Sequence, residues 1–393
     1  MTSPHGQDLP IDCGNSSYPS LADLAFVFLK LGTIAFGGPA AHIAMMEDEF
    51  VRRRRWLSED EFLDRLAMAN LIPGPSSTEL AIFIGFMKRG WAGLLIAGSC
   101  FIIPAALLVT AIAIFYVRYG SLPQVAGILY GIKPAVIAII LQALWALGSK
   151  AVKTSWLAAI GIAAALASAW GVPPLVVLLC SGISSATVLR IRRGGATALA
   201  SISTGMGAGF AATAVAAARI PVSLIRLFLS FFKIGSVVFG SGYVLLAFLQ
   251  TEFIQRLHWL NEKQLIDAVA VGQFTPGPVF TTATFIGYVV AGVRGAMVAT
   301  VGIFLPGFIF VAVAGKFISK IRASAMGMAI LDGVVVGSLA LMAVVAWQLG
   351  RAAVIDWSTL LILVISAVLL FRFRVNSAWI ICGAALVGWL ARF

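Results

Sequence analysis

Residues 70–79 read NLIPGPSSTE and residues 273–282 read QFTPGPVFTT, so Pro-Gly-Pro stands at Pro73, Gly74 and Pro75 and again at Pro276, Gly277 and Pro278. Each copy interrupts a stretch otherwise apolar enough for a membrane. Proline removes a backbone donor and its ring clashes with the preceding turn, so two prolines around a glycine argue against a continuous helix. In a bilayer such a break survives only where protein or a water-filled cavity covers the freed backbone groups. The chain therefore carries a broken helix in each of two halves.

The repeat extends far beyond the tripeptide. A constant offset of 203 also pairs Phe28 with Phe231, Lys30 with Lys233, Gly32 with Gly235, Glu49 with Glu252, Trp56 with Trp259 and Asp64 with Asp267. After a slip to 202, Gly85, Gly93, Pro104, Gly131 and Trp145 fall on Gly287, Gly295, Pro306, Gly333 and Trp347. Compositional bias aligns scattered Ala and Leu, but not this order of Pro, Gly, Trp and acidic residues. The organisation expected is a tail at 1–20, a first repeat at 21–193, a linker at 194–221 and a second repeat at 222–393.

With 60% hydrophobic and 11% charged residues, the 393-residue chain has too little polar surface for a soluble globule. The net charge of +12 follows from the positive-inside rule, and nucleic acid is not an expected partner. Cys100, Cys180 and Cys382 lie in apolar segments and Cys13 in the polar tail, without CxxC spacing, so free thiols are expected. The first twenty residues carry no Lys or Arg, unlike the basic start of a signal peptide, and the first apolar segment is expected to direct insertion. No GxxxxGK[ST] supports ATP drive, and three scattered histidines form no metal or hydrolytic cluster; neither cofactor nor enzyme activity is expected.

Apolar segments run at 21–46, 62–88, 91–117, 124–148, 155–170 and 172–189, then at 222–249, 264–290, 294–317, 324–349, 357–371 and 376–392. If 62–88 is a re-entrant hairpin, Arg52 to Arg55, Lys88, Arg89, Lys150, Lys153, Arg190 and Arg192 all collect on one side. A full span there would blur that asymmetry. The fold class is thus an all-α polytopic membrane protein of two inverted repeats, with about ten spans, two re-entrant broken-helix hairpins and both termini outside. Each hairpin arm is about ten to fourteen residues, a half-helix rather than a span.

A helix broken at mid-membrane leaves unpaired amides at the start of its second arm, and these with the helix dipole favour an anion. Behind the breaks stand Ser76, Ser77 and Thr78, and Thr281, Thr282 and Thr284, which either donate to an oxyanion or simply cap the helix. Asn70 and Gln273 precede the breaks. Lys30 and Lys233 sit at matching apolar positions, either as compensating charge at a site or as residues that snorkel to the headgroups. Glycines at Gly37, Gly38 and Gly240, with Pro39, permit local unwinding, and His42 and Tyr243 follow at nearly equivalent places. Glu79 and Asp332 are the intramembrane carboxylates with the charge to couple transport to an ion.

The stretch FGGPAAHIAMMEDEFVRRRRWLSEDEFLDRLAMANLIPGPSSTELAIFIGF, Phe36 to Phe86, resembles the signature of the chromate ion transporter (CHR) family. VFGSGYVLLAFLQTEF and WLNEKQLIDAVAVGQFTPGPVFTTATFIGY resemble its second-half counterpart, and the likeness runs from about Leu21 to Leu390 in the long two-domain form. The resemblance implies gradient-driven efflux of chromate across a bacterial inner membrane, with sulfate as a competing dianion. Motif positions carried over are Gly37, Gly38, Pro39, His42, Asn70, Pro73, Gly74 and Pro75, with Gly240, Tyr243, Pro276, Gly277 and Pro278. The repeats differ at Gly38-Pro39 against Ser241-Gly242. Expected partners are the dianion and the lipid bilayer, with a homodimer left open. Cysteines introduced at Arg55 and Leu260 are expected to react with impermeant thiol reagents from opposite sides; labelling from one side would remove the inversion.

Overall fold

In the computed structural model the described residues, 19–36, 38–119, 123–192, 221–239, 244–314, 324–373 and 375–391, form helices joined by short irregular segments. The first repeat comprises α1 (Leu21–Ile34), α2 (Gly38–Glu47) with a π-helical turn (Asp48–Arg53), α3 (Glu59–Ala69), α4 (Ser76–Tyr119), α5 (Pro123–Ala151), α6 (Ser155–Ala169) and α7 (Pro174–Arg192). The second follows the same order with α8 (Leu224–Val237), α9 (Leu245–Leu249) with its π-helical turn (Gln250–Arg256), α10 (Glu262–Phe274), α11 (Thr282–Ala314), α12 (Ala325–Ala353), α13 (Trp357–Arg372) and α14 (Ser377–Leu390). The expected linker at 194–221 falls, save its last residue, outside the described residues. Both repeats start the helix before the break with the same device. Ser58 and Glu61 form a capping box on α3, and Asn261 and Gln264 form one on α10.

The long helices α4 and α11 are each two arms. Arg89 and Gly90 (φ +57°) leave helical geometry in α4, as Ala291 and Gly292 (φ +61°) do in α11. The chain reverses at both points, and the arms pack so closely that a side chain on Gly85 would strike the Gly93 carbonyl, and one on Gly287 that of Gly295. Only glycine allows this approach.

Contacts fix the hairpins. Arg89 Nε donates to the Pro19 carbonyl at 2.6 Å, and Arg54 lies within electrostatic reach of Asp23 in the first turn of α1. The loops at Arg54 and at Arg89 thus lie on one face, and the chain between them enters, turns at Pro73 to Pro75 and returns. Along α4 from Gly98 to Ala105 to Tyr116, the neighbours change from Phe308 near the end of α11, to Gly277 at the second break, to Asp267 and Phe285 in the outer arms of the second hairpin. The second hairpin therefore opens to the opposite face, and the repeats are inverted.

Segments 21–46 and 222–249, each read from hydropathy as one span, fold back on themselves. Ala35 is extended (φ −80°, ψ 95°), Gly38 opens α2 at φ +78°, and Phe28 then meets Phe50 with ring centres 5.2 Å apart. Phe231 meets Phe253 in the same way at 4.8 Å. Two half-depth helices show lipid the same apolar residues as one full-depth helix, so hydropathy does not separate them. Pro19 beside Arg89 also places the start of α1 on the arginine-rich face, not the opposite one as expected.

Among the described residues, five helices are long and apolar enough to cross a membrane, Ser76–Tyr119, Ala126–Ala151, Pro174–Arg192, Val279–Val313 and Ala325–Ala353, and three shorter apolar helices accompany them. Large apolar side chains such as Leu107 and Phe115 point outward from this bundle, as a lipid-facing surface requires. Gly277 has φ +85°, and a Cβ there would meet Ala105 Cβ at 2.7 Å and the Gly32 carbonyl at 3.1 Å. Gly277→Ala is expected to destabilise the solubilised protein by about 1–3 kcal/mol. Gly383→Ala, at a helical position with open space around it, is the control and should leave the thermal unfolding temperature unchanged.

Candidate functional site

The two breaks are tied to each other's repeat through the backbone. Gly74 N–H donates to the Val238 carbonyl at 2.7 Å, and Gly277 N–H donates to the Ala35 carbonyl at 2.9 Å. The pairs are equivalent under the 203 offset, so each Pro-Gly-Pro docks on the helix end that opens the other repeat. The Ala35 carbonyl also accepts from His42 Nε2 at 3.1 Å, and His42 Nδ1 lies 3.2 Å from Ser77 Oγ. A carbonyl only accepts, so Nε2 carries hydrogen and the neutral ring accepts from Ser77 at Nδ1. The buried ring, set edge-on to Phe101 at 5.7 Å, joins the first break to the second with both nitrogens engaged.

The hydroxyls behind the breaks divide sharply between the repeats. Thr281 Oγ1 donates to the Pro278 carbonyl and Thr282 Oγ1 to the Val279 carbonyl, both at 2.8 Å, while Thr284 pairs with Thr300 at 2.7 Å. These threonines engage their hydroxyls with local carbonyls and with another threonine, so none is turned outward from the break. In the first repeat, Thr78 Oγ1 and both carboxylate oxygens of the fully buried Glu79 have no hydrogen-bond partner among the described residues. Glu79 fills the space beside Gly74, where a Cβ would strike its Oε1, and a Cβ on Gly307 of α11 would lie 3.7 Å from its Cγ. An unpaired carboxylate charge there would be costly.

A cavity of about 390 Å³ adjoins the first break. Asn70 at the end of α3 and Leu71 form one wall, Lys150 and Lys153 at the end of α5 another, and Asp332 and Ser338 of α12 a third. Lys153 Nζ is 2.8 Å from Asp332 Oδ1, and the buried Ser338 hydroxyl has no partner among the described residues. Lys150 makes no ion pair among the described residues. The cavity thus offers two ammonium groups, one amide and one hydroxyl against a single carboxylate.

The expected set is only partly gathered. Asn70 and Asp332 share the cavity; Ser77, His42 and Gly277 share the crossing; Ser76, Gln273, Pro75, Pro276 and Pro278 are buried around the breaks, with Pro73 half-buried. Lys30 and Lys233 are not brought to the breaks as compensating charges. Lys30 pairs with Glu49 at 3.6 Å, and Lys233 with Glu252 at 3.3 Å, because α2 and α9 with their π-helical turns fold back alongside. Gly38 and Pro39 open α2, and Gly37, Gly240 and Tyr243 lie outside the described residues. Asp332 is half-buried and already paired, unlike Glu79.

Sequence reasoning takes Lys150 and Lys153 as topology markers and passes over Ser338. It also misses a buried triad. Tyr116 OH donates to Asp267 Oδ2 at 2.9 Å and Lys133 Nζ stands 3.4 Å from Asp267 Oδ1, joining α4, α5 and α10. The signal is one lysine and one aspartate in two separate apolar segments, an arrangement that membranes tolerate when the charges pair. Asp64, at the equivalent place in the first repeat, is half-exposed and pairs with its neighbour Arg65.

The chromate transporter family profile matches residues 22–186 and again 225–389. The chain is 32% identical over 412 residues to the chromate transport protein of Cupriavidus metallidurans, covering 100% of this chain and 98% of that protein. It is 30% identical over 388 residues to the chromate transport protein of Pseudomonas aeruginosa, covering 95% and 92%. An uncharacterized transporter of Bacillus subtilis is 32% identical over 140 residues, 35% of this chain and 79% of that protein, a stretch shorter than either family match. No solved structure matches.

Removing one partner of a buried ion pair leaves an uncompensated charge, at a cost of about 3–5 kcal/mol. Asp267→Ala is expected to destabilise by that amount in thermal unfolding, and adding Lys133→Met to it should recover part of the loss. Equal instability of the single and double variants would show that the triad does not act as a unit.

Proposed function

The chain belongs to the chromate transporter family, and from that membership we propose that it is a multi-pass secondary transporter moving chromate outward across a bacterial inner membrane, with sulfate as a competing dianion. The observation that carries the reading is the cavity beside the first break. A tetrahedral dianion needs compensating charge and several donors once it leaves water. Lys150 and Lys153 supply the charge, Asn70 and Ser338 the donors, and Asp332 holds Lys153 in position. The positive-inside rule makes the arginine-rich face, and with it the lysine end of the cavity, cytoplasmic.

Glu79 supplies the coupling in this proposal. Its unpartnered carboxylate stands beside Gly74, on the same break whose Asn70 lines the cavity. Ionised, it repels an approaching dianion; protonated, it does not. Proton binding at Glu79 and anion binding in the cavity are thereby linked, and the two inverted hairpins provide halves that rock against each other about the Gly74 and Gly277 crossing. Ser77 and His42 hold the first arm to that crossing.

In everted vesicles, uptake of labelled chromate is expected to fall when the proton gradient is collapsed. Glu79→Gln should abolish that dependence, and Lys150→Ala with Lys153→Ala should raise KM by roughly tenfold or more through loss of both charges. Uptake that ignores the proton gradient and follows only the chromate potential would make the protein an anion channel. Sulfate transported in preference to chromate would change the physiological substrate but not the site.

A further inference from the structure

We propose that the second repeat carries an additional oxyanion-binding vestibule on the face opposite the arginine-rich one, with Arg226 as its determinant. A cavity of about 450 Å³ there is lined by Arg226, Lys233 and Arg256 around one carboxylate, Glu252, with Leu229 and Leu257 as apolar walls. Glu252 is fully engaged, accepting from Ser230 at 2.9 Å, Lys233 at 3.3 Å and Arg256 at 3.2 Å. Arg226 has no carboxylate within ion-pairing distance among the described residues. The cavity therefore holds surplus positive charge.

The inverted repeat supplies its own control. Under the 203 offset, Lys233, Glu252 and Arg256 fall on Lys30, Glu49 and Arg53, but Arg226 falls on Asp23. Asp23 sits in the first turn of α1, where the helix dipole favours an acidic group, and completes the capping box with Ser20. Arg226 sits in the first turn of α8, where a cation works against the dipole, and Ser223 makes no side-chain cap there. Helix stability thus does not account for the arginine. Binding of an anion does.

The position suits passage. Arg226, Ser230 and Lys233 share one face of α8, and Lys233 is five residues from Val238, about 7.5 Å along the axis, where Val238 holds Gly74. The stripe runs from the outer face toward the crossing of the breaks. The ligand class is a tetrahedral oxyanion group, free or as the phosphate of an anionic lipid; the exposed, apolar Leu229 in the cavity wall admits the second source. The consequence for chromate rests on the proposed transport function, whereas binding itself does not.

Chromate uptake is measured in proteoliposomes of phosphatidylcholine, with and without added phosphatidylglycerol, for the wild type, Arg226→Asp and Arg226→Lys. Thermal unfolding is followed in parallel with and without sulfate. For a free oxyanion, Arg226→Asp should raise KM roughly five- to tenfold at low salt with kcat unchanged. Arg226→Lys should restore KM, and the difference should shrink as ionic strength rises. For a lipid phosphate, phosphatidylglycerol should stabilise the wild type and not Arg226→Asp, with KM equal in phosphatidylcholine alone. Unchanged KM together with no differential stabilisation by sulfate or phosphatidylglycerol would overturn the vestibule. Wild-type protein that takes up no chromate would instead remove the transport reading, and the sulfate and lipid arms would still decide the vestibule.

Discussion

Two backbone hydrogen bonds, from Gly74 to the Val238 carbonyl and from Gly277 to the Ala35 carbonyl, hold together broken segments that enter the bilayer from opposite faces without spanning it. Each joins a proline-made break in one repeat to the helix C-terminus of the other. In lipid no water is at hand to satisfy those groups, so each repeat completes the other's backbone. The close glycine contacts at Gly85 with Gly93 and at Gly287 with Gly295 then pack the arm leaving each break against the helix that follows its reversal at Gly90 or Gly292.

The symmetry of the scaffold is not shared by its polar groups. In the second repeat, Thr281 and Thr282 turn their hydroxyls onto local carbonyls. In the first, Thr78 and Glu79 have no partners among the described residues and a cavity with two lysines lies alongside. His42 adds to the difference, since the residue at the 203 offset is Leu245. The second repeat carries instead the buried Asp267, paired with Tyr116 and Lys133 of the first, and an arginine where the first has Asp23. Duplication thus supplies two equivalent frames. The chemistry is divided between them: an open polar break in one, a break with engaged hydroxyls and a charged outer cavity in the other.

Much of this is legible in the order of the residues. Pro73, Gly74 and Pro75 announce a break because proline cannot donate, and the recurrence at Pro276 to Pro278 announces the repeat. The inversion is legible in the distribution of Lys and Arg. The fold-back at Ala35 to Gly38 is not, since it leaves the hydropathy of residues 21–46 unchanged. Lys30 and Lys233 read as paired charges at the site, but the fold-back brings Glu49 and Glu252 against them. Sequence spacing carries no information on which distant helix will lie alongside.

What the sequence alone determined is the local physics: where helices break, which segments seek lipid, which face collects cations, and that the plan occurs twice. Those properties depend on each residue and its near neighbours. What only the tertiary structure decided is which polar groups are satisfied. Among the described residues, Glu79, Thr78 and Ser338 stay unpartnered while Thr281, Thr282 and Lys30 do not, and Lys153 meets Asp332 across 179 positions of sequence. Satisfaction of a buried polar atom depends on what lies within about 3 Å of it in space. For a chain folded from opposite faces of a membrane, that distance is set only once the two repeats have crossed.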